Sequence, residues 1–213
     1  MTFFWALLIL LLSYLCGSFP SGYLIGKFNG IDIRKYGSKN IGATNVRRVL
    51  GRDWSIVCFA LDFLKGFLPI LLIGHFIGAR CDVGVEYGGF LAAIGSICGH
   101  VFPVWLKFKG GKGVATSLGA VAGLAFLPLL IGGIAWLIVF QTRRIVSLAS
   151  MAAVIAVTVM ALICQLLRWH ATGWPCVFLF AVIAAIVIAR HKDNIIRLRK
   201  GTENAFAKPE KKQ

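Results

Sequence analysis

The chain has 213 residues, 58% of them hydrophobic, and carries a formal net charge of +15 from 23 Lys and Arg against 8 Asp and Glu. Soluble domains are roughly 45–50% apolar, whereas here long apolar blocks dominate, which excludes a water-soluble globular domain and makes the bilayer the implied solvent. The basic residues fall in short joints between those blocks, the pattern of cytoplasmic loops, so membrane lipids and anionic substrates are the expected partners and nucleic acid is not.

The first apolar block, near residues 3–26, lacks both a basic leading region and a small-residue cleavage site, which predicts an uncleaved span. Within it, GSFPSG at 17–22 predicts a kink or an unwound turn, with Ser21 and freed backbone near the inner end. Further blocks fall near 54–79, 84–106, 113–141, 145–167 and 174–190. The six cysteines (Cys16, Cys58, Cys81, Cys98, Cys164, Cys176) are scattered, with no CxxC and no metal-ligand spacing, and read as free thiols; no metal and no organic cofactor is suggested.

The most basic regions are the joint at 27–52 and the tail from Arg190 to Lys212, so both are expected on the cytoplasmic side, which puts the N-terminus outside. Tracing spans forward leaves Lys107, Lys109 and Lys112 inside; tracing back from the tail puts Arg143 and Arg144 inside as well. The block 113–141 must then begin and end on one side. A hairpin of two short helices breaking near Pro128 does this, each arm about 13 residues and roughly 20 Å, shorter than a hydrocarbon core of about 30 Å. The expected fold is an all-α integral membrane protein: a seven-helix bundle with that hairpin, N-terminus outside and C-terminus cytoplasmic. Its organisation reads as a single polytopic membrane domain over 1–200 and a basic cytoplasmic tail over 201–213. Six spans with both termini on one side is the rival arrangement.

Three segments carry chemistry. The first, KYGSKNIGATNVRRVLGR at 35–52, places Gly37, Ser38, Asn40, Gly42, Thr44, Asn45, Arg47 and Arg48 within twelve positions. Glycines let backbone N–H groups converge on an anion, Ser, Thr and Asn add neutral donors, and Arg supplies a forked charged pair. The plainer reading is a basic turn ending in a helix capped by Thr44 or Asn45. The second, GHVFPVWLKFKGGKGVATSLG at 99–119, sets Lys107, Lys109 and Lys112 around Gly110, Gly111 and Gly113 just before a helix, whose N-terminal N–H groups would face an anion. It is not a nucleotide P-loop, since Leu106 and Gly113 stand where that pattern needs Gly and Ser or Thr. A membrane-border anchor accounts for Lys107. The third, ARHKDNIIRLRKGTEN at 189–204, spaces His191, Asn194 and Arg197 by three, on one helix face.

His100 and Asp62 lie in or at the edge of apolar blocks, where ionisable groups are functional hypotheses by default. His75 and His170, near the outer face, read as interfacial.

Together GSFPSG, GSKNIGATN with Arg48, DFLKG at 62–66, GHVFPVWLKFKGGKGVAT at 99–116 and RHKDNIIRL at 190–198 resemble the PlsY-type bacterial acyl-phosphate:glycerol-3-phosphate acyltransferases, in that family's order and over nearly the whole chain. The resemblance implies a multi-pass enzyme of the bacterial inner membrane with its site facing the cytoplasm. Its reaction would move a fatty acyl group from acyl phosphate to the 1-hydroxyl of glycerol 3-phosphate, giving lysophosphatidic acid. None of the four histidines has Asp five positions on, so the His-x4-Asp pair of other acyltransferases is not present.

By that likeness Ser38, Lys112 and His191 are the catalytic candidates. The phosphate-binding candidates are Gly37, Asn40, Gly42, Thr44, Asn45, Arg48, Lys109, Gly110, Gly111, Gly113 and Asn194. Lys112 with Lys109 is assigned to the departing phosphate, and Arg48 with His191 to glycerol phosphate. His191 is a candidate base because imidazole titrates near neutrality, and a phosphate ligand otherwise. A carrier for a phosphorylated solute is the competing function, although carriers bind near the midplane rather than at helix edges.

Overall fold

The computed structural model describes residues 1–169 and 173–206, so the expectations placed on His170 and on residues 207–213 of the tail lie outside the described residues. All regular structure among the described residues is helical. Among the described residues six stretches are long and apolar enough to cross a bilayer, namely Thr2–Phe28, Arg52–Gly78, Val85–Leu106, Phe126–Arg143, Val146–Leu166 and Gly173–Arg190, and Val114–Leu124 is a shorter apolar helix. The chain is an all-helical, multi-pass membrane protein. Large apolar side chains such as Leu11, Leu72, Ile138, Leu166 and Phe178 are exposed along these helices, as lipid-facing residues are.

The contacts group into two compact units, Met1–Leu124 and Ala125–Gln213. The first opens with α1 (Thr2–Gly17), which stops at the GSFPSG run and resumes as α2 (Ser21–Phe28). The interruption falls where Pro20 and its neighbours predict it. A single 3-10 turn (Ile33–Lys35) and α3 (Ala43–Leu50) follow. Next, α4 (Arg52–Pro69) passes without a break through wide π turns (Ile70–His75) into α5 (Phe76–Gly78). The wide turns begin right after Pro69, whose missing N–H interrupts the regular ladder. The unit closes with α6 (Val85–Val101), a 3-10 turn (Val104–Leu106) and α7 (Val114–Leu124).

Helices in this unit meet backbone to backbone through small residues, the usual solution where lipid removes any hydrophobic drive. A side chain at Gly17 would run into the Ser96 carbonyl, one at Gly99 into the Tyr14 carbonyl, and one at Gly66 into the Thr116 carbonyl. These contacts fix α1 on α6 and α4 on α7, and with them the loop between α6 and α7.

The second unit contains α8 (Phe126–Arg143), α9 (Val146–Leu166), α10 (Gly173–Arg190) and α11 (Lys192–Arg199). Gly132 of α8 lies against Val157 of α9, and the Thr158 hydroxyl of α9 donates to the Phe180 carbonyl of α10 at 3.1 Å. Beyond α11 the chain folds back: the Phe206 N–H donates to the Arg144 carbonyl at 2.8 Å, and the Phe206 ring meets Phe140 edge-on.

The block 113–141 breaks near Pro128 as expected, three residues before it, but not into two short arms. The extended residue is Ala125 (φ −153, ψ 102), and the arms are 11 and 18 residues long. Pro128 is the third residue of α8, within the first turn, where N–H groups have no intrahelical partner and a proline is tolerated.

Candidate active site

The first loop is organised by one side chain. Asn45, in the first turn of α3 and 1% exposed, accepts the Ser38 N–H at 2.7 Å through Oδ1. Its Nδ2 donates among the carbonyls of Asn40 (2.8 Å), Tyr36 (3.1 Å) and Ile33 (3.3 Å). The side chain has no room for Cβ at Gly37, whose φ of +56 also favours glycine. Asn40 accepts the Gly42 N–H at 2.9 Å, and Gly42, not Thr44 or Asn45, is the N-cap of α3. Asn45 and Asn40 therefore shape the loop with the same atoms that the sequence offers as phosphate ligands. Ser38 is exposed, with its hydroxyl unbonded among the described residues, and Thr44 and Arg48 are half-buried. Just before it, Asp32 accepts Arg34 Nε at 2.9 Å and Nη2 at 2.7 Å, and that guanidinium holds its carboxyl well below the usual carboxylate range.

The second loop turns sharply at Lys107 (φ +53) and Phe108 (φ +61), left-handed positions unusual for non-glycine residues. It is then stitched back onto the end of α6: Gly110 N–H donates to the Val101 carbonyl and Gly111 N–H to the His100 carbonyl, each at 3.1 Å. The glycines thus serve close approach. A Cβ at Gly110 would strike the His100 carbonyl and one at Gly111 the His100 ring. Gly113, at φ +84, starts α7 and accepts the Ser117 N–H at 2.7 Å. Lys109 is exposed and Lys112 half-buried beside this helix start.

The third segment lies in the second unit. His191 is 2% exposed, and its Nδ1 is 2.7 Å from the Val187 carbonyl. A carbonyl only accepts, so Nδ1 carries a proton there and Nε2 is the ring's accepting nitrogen in the neutral form. Asn194 and Arg197 of α11 do share a face, and both donate to Glu203, Arg197 through Nε at 2.7 Å. The Ser147 hydroxyl of α9 completes the set at 2.8 Å. Burial pushes the Glu203 carboxyl up, but hydrogen bonds from Asn194, Ser147 and Arg197 outweigh it and hold the group below its ordinary value.

The family model for glycerol-3-phosphate acyltransferase matches residues 7–201. The chain belongs to this family. It is 40% identical over 203 residues to a glycerol-3-phosphate acyltransferase of Aquifex aeolicus, covering 94% of this chain and 99% of that protein. It is 43% identical over 198 residues to the glycerol-3-phosphate acyltransferase of Synechococcus elongatus, covering 92% and 91%. Among solved structures it is similar to PlsY (YgiH), an integral membrane glycerol 3-phosphate acyltransferase, in its glycerol 3-phosphate form. That match has a TM-score of 0.85 and 38% identity over 95% of this chain and 96% of that one. The lysophosphatidic acid form of PlsY gives a TM-score of 0.82 at the same identity.

In this acyltransferase, Glu203 and Ser147 join the third candidate segment without any mark in the sequence. One acid of three in a basic tail carries little signal beyond its place two residues after Gly201, and Ser147 sits unmarked at the start of an apolar helix. Among the described residues no group of three or more His, Cys, Asp and Glu side chains converges as metal ligands would.

Proposed function

We propose that this family member transfers a fatty acyl group from acyl phosphate to the 1-hydroxyl of glycerol 3-phosphate, giving lysophosphatidic acid. The carrying observation is the likeness, over 95% of both chains, to a protein solved in its lysophosphatidic acid form. Acyl phosphate as the donor rests on the motif resemblance and on the presence of two separate basic, Gly-rich loops, one for each phosphate.

The donor is already an activated mixed anhydride, so alignment and charge stabilisation carry most of the work. The glycerol phosphate hydroxyl oxygen attacks the acyl carbonyl carbon, the bond from that carbon to the phosphate oxygen breaks, and inorganic phosphate departs. Lys112 and Lys109 neutralise charge growing on the departing phosphate, Arg48 supplies a forked donor for a second phosphate, and the Ser38 hydroxyl polarises a reacting oxygen. The hydroxyl proton passes to a substrate phosphate, whose second pKa lies near 6, or to the His191 ring.

We further propose seven helices, the N-terminus outside, and both loops, Arg143 and the tail on the cytoplasmic side of the inner membrane, because the basic joints sort to one face under the positive-inside rule. The reading of 1–200 as one membrane domain belongs to the same proposal. Running the purified protein in parallel with acyl phosphate, acyl-CoA and acyl carrier protein tests the donor. Product from acyl phosphate alone is expected, and equal or faster product from either thioester contradicts it.

A further inference from the structure

Three motifs lie outside the loops just assigned: GSFPSG, DFLKG and GHVFP. Within the first unit they meet around one carboxylate. Asp62 Oδ1 accepts the Ser21 hydroxyl at 2.9 Å, lies 2.8 Å from Lys65 Nζ and 3.5 Å from His100 Nδ1. Lys65 Nζ also donates at 2.7 Å to the Phe19 carbonyl, which lies where α1 breaks before α2 and takes the Ser21 N–H at 3.1 Å as well. All four side chains are buried.

Asp62 is the eleventh residue of the helix starting at Arg52, about 15 Å along it. A carboxylate inside a span costs about 2.5–3.5 kcal/mol on insertion scales, so its retention there asks for a reason. Tying α4 to the α1–α2 break would explain Asp62, Lys65 and Ser21, and an apolar set of similar volume could do that equally well. It does not explain His100. Lys65 already neutralises Asp62, yet the histidine ring stands with Nδ1 toward Asp62 while its Nε2 side closes on Gly111. The same residue's carbonyl takes the Gly111 N–H.

We infer that Asp62, fixed by Lys65 and Ser21, is a positioning residue that acts through the His100 ring to set the height of the Gly110–Gly113 loop. This rests on the reading of that loop as a phosphate site. Asp62 touches no reacting atom; it determines where the ring sits, and the ring determines how closely Gly111 can approach.

Two double variants isolate the effect. Asp62→Leu with Lys65→Met and Asp62→Asn with Lys65→Met are both uncharged and similar in volume, but only the second keeps an acceptor for the Ser21 hydroxyl and a polar atom facing His100 Nδ1. Positioning predicts that KM for acyl phosphate, whose phosphate this loop is read to hold, rises about tenfold or more in the leucine variant while KM for glycerol 3-phosphate does not, and that the asparagine variant stays closer to wild type. Hydrogen exchange without substrate gives a second readout: Gly110 and Gly111 amides exchange faster in the leucine variant only. Equal KM values and equal exchange in the two variants overturn the inference. Should the leucine variant not fold, His100→Ala leaves the Asp62–Lys65 pair intact and is read the same way, unchanged KM and exchange again overturning it. Wild-type protein that makes no lysophosphatidic acid overturns the acyltransferase reading instead, and the amide exchange still decides the positioning.

Discussion

Replacing Asn45 by aspartate changes one NH2 group to an oxygen at constant shape. The acceptor half of the clamp survives, since a carboxylate oxygen can still take the Ser38 N–H, now 2.7 Å from Oδ1. The donor half inverts: three carbonyls, of Ile33, Tyr36 and Asn40, would face an oxygen that cannot donate. Losing two net hydrogen bonds costs about 2 kcal/mol, and setting a carboxylate oxygen against carbonyl oxygens raises this toward about 4 kcal/mol, although the Ile33 and Tyr36 carbonyls keep the Tyr36 and Lys39 N–H groups at 3.3 and 2.9 Å. The lower figure alone changes the loop's opening equilibrium about thirtyfold. Because Ser38 is held through this clamp, kcat/KM for lysophosphatidic acid formation should fall by at least about tenfold in Asn45→Asp. The Ser38 amide should exchange correspondingly faster. The purified full-length variant, assayed with acyl phosphate and labelled glycerol 3-phosphate and followed by hydrogen exchange, checks both. Kinetics within twofold of wild type together with an unchanged Ser38 amide would refute the clamp.

The same physics reaches other positions. His191→Gln separates base from ligand: a raised KM with turnover retained removes His191 as the proton acceptor, and a collapse in kcat at unchanged KM establishes it. Glu203 has a lowered folded pKa, so its stabilisation is fully present above its ordinary value of 4.5 and is lost as pH falls through the folded value. Protease sensitivity of the Gly201–Phe206 segment should therefore rise on acidification below about pH 4.5, and Glu203→Gln should be sensitive already at neutral pH with a flatter pH response. Gly17→Ala drives a methyl into the Ser96 carbonyl, so α1 and α6 must part. We expect a loss of about 1–3 kcal/mol, seen as a lower melting temperature in detergent.

Much of this was legible because membrane solvent leaves few choices: long apolar blocks become helices, and basic Gly-rich joints stand out between them. The GSFPSG interruption was readable from Pro20 and its small neighbours. The break in the fourth block was readable to within three residues, but its seat at Ala125 was not, since alanine is the best helix former and the obvious breaker, Pro128, sits in a first turn that accommodates it. The donor-rich loops were recognisable by composition, but composition does not say which donors face a ligand. Asn45 turned inward, and the N–H groups of Gly110 and Gly111 went to carbonyls of the preceding helix. Those assignments depend on long-range backbone positions that sequence spacing does not encode. The partners of Asp62 are of the same kind, since Ser21 and His100 lie 41 and 38 positions away and meet it only once the first unit has packed.

The central claim is acyl transfer to glycerol 3-phosphate rather than passage of a phosphorylated solute. Purified protein in detergent, given acyl phosphate and labelled glycerol 3-phosphate, measures it directly. The account predicts label in lysophosphatidic acid with inorganic phosphate released in equal amount. No lipid product in detergent, with labelled glycerol 3-phosphate accumulating inside liposomes that carry the protein, would contradict it.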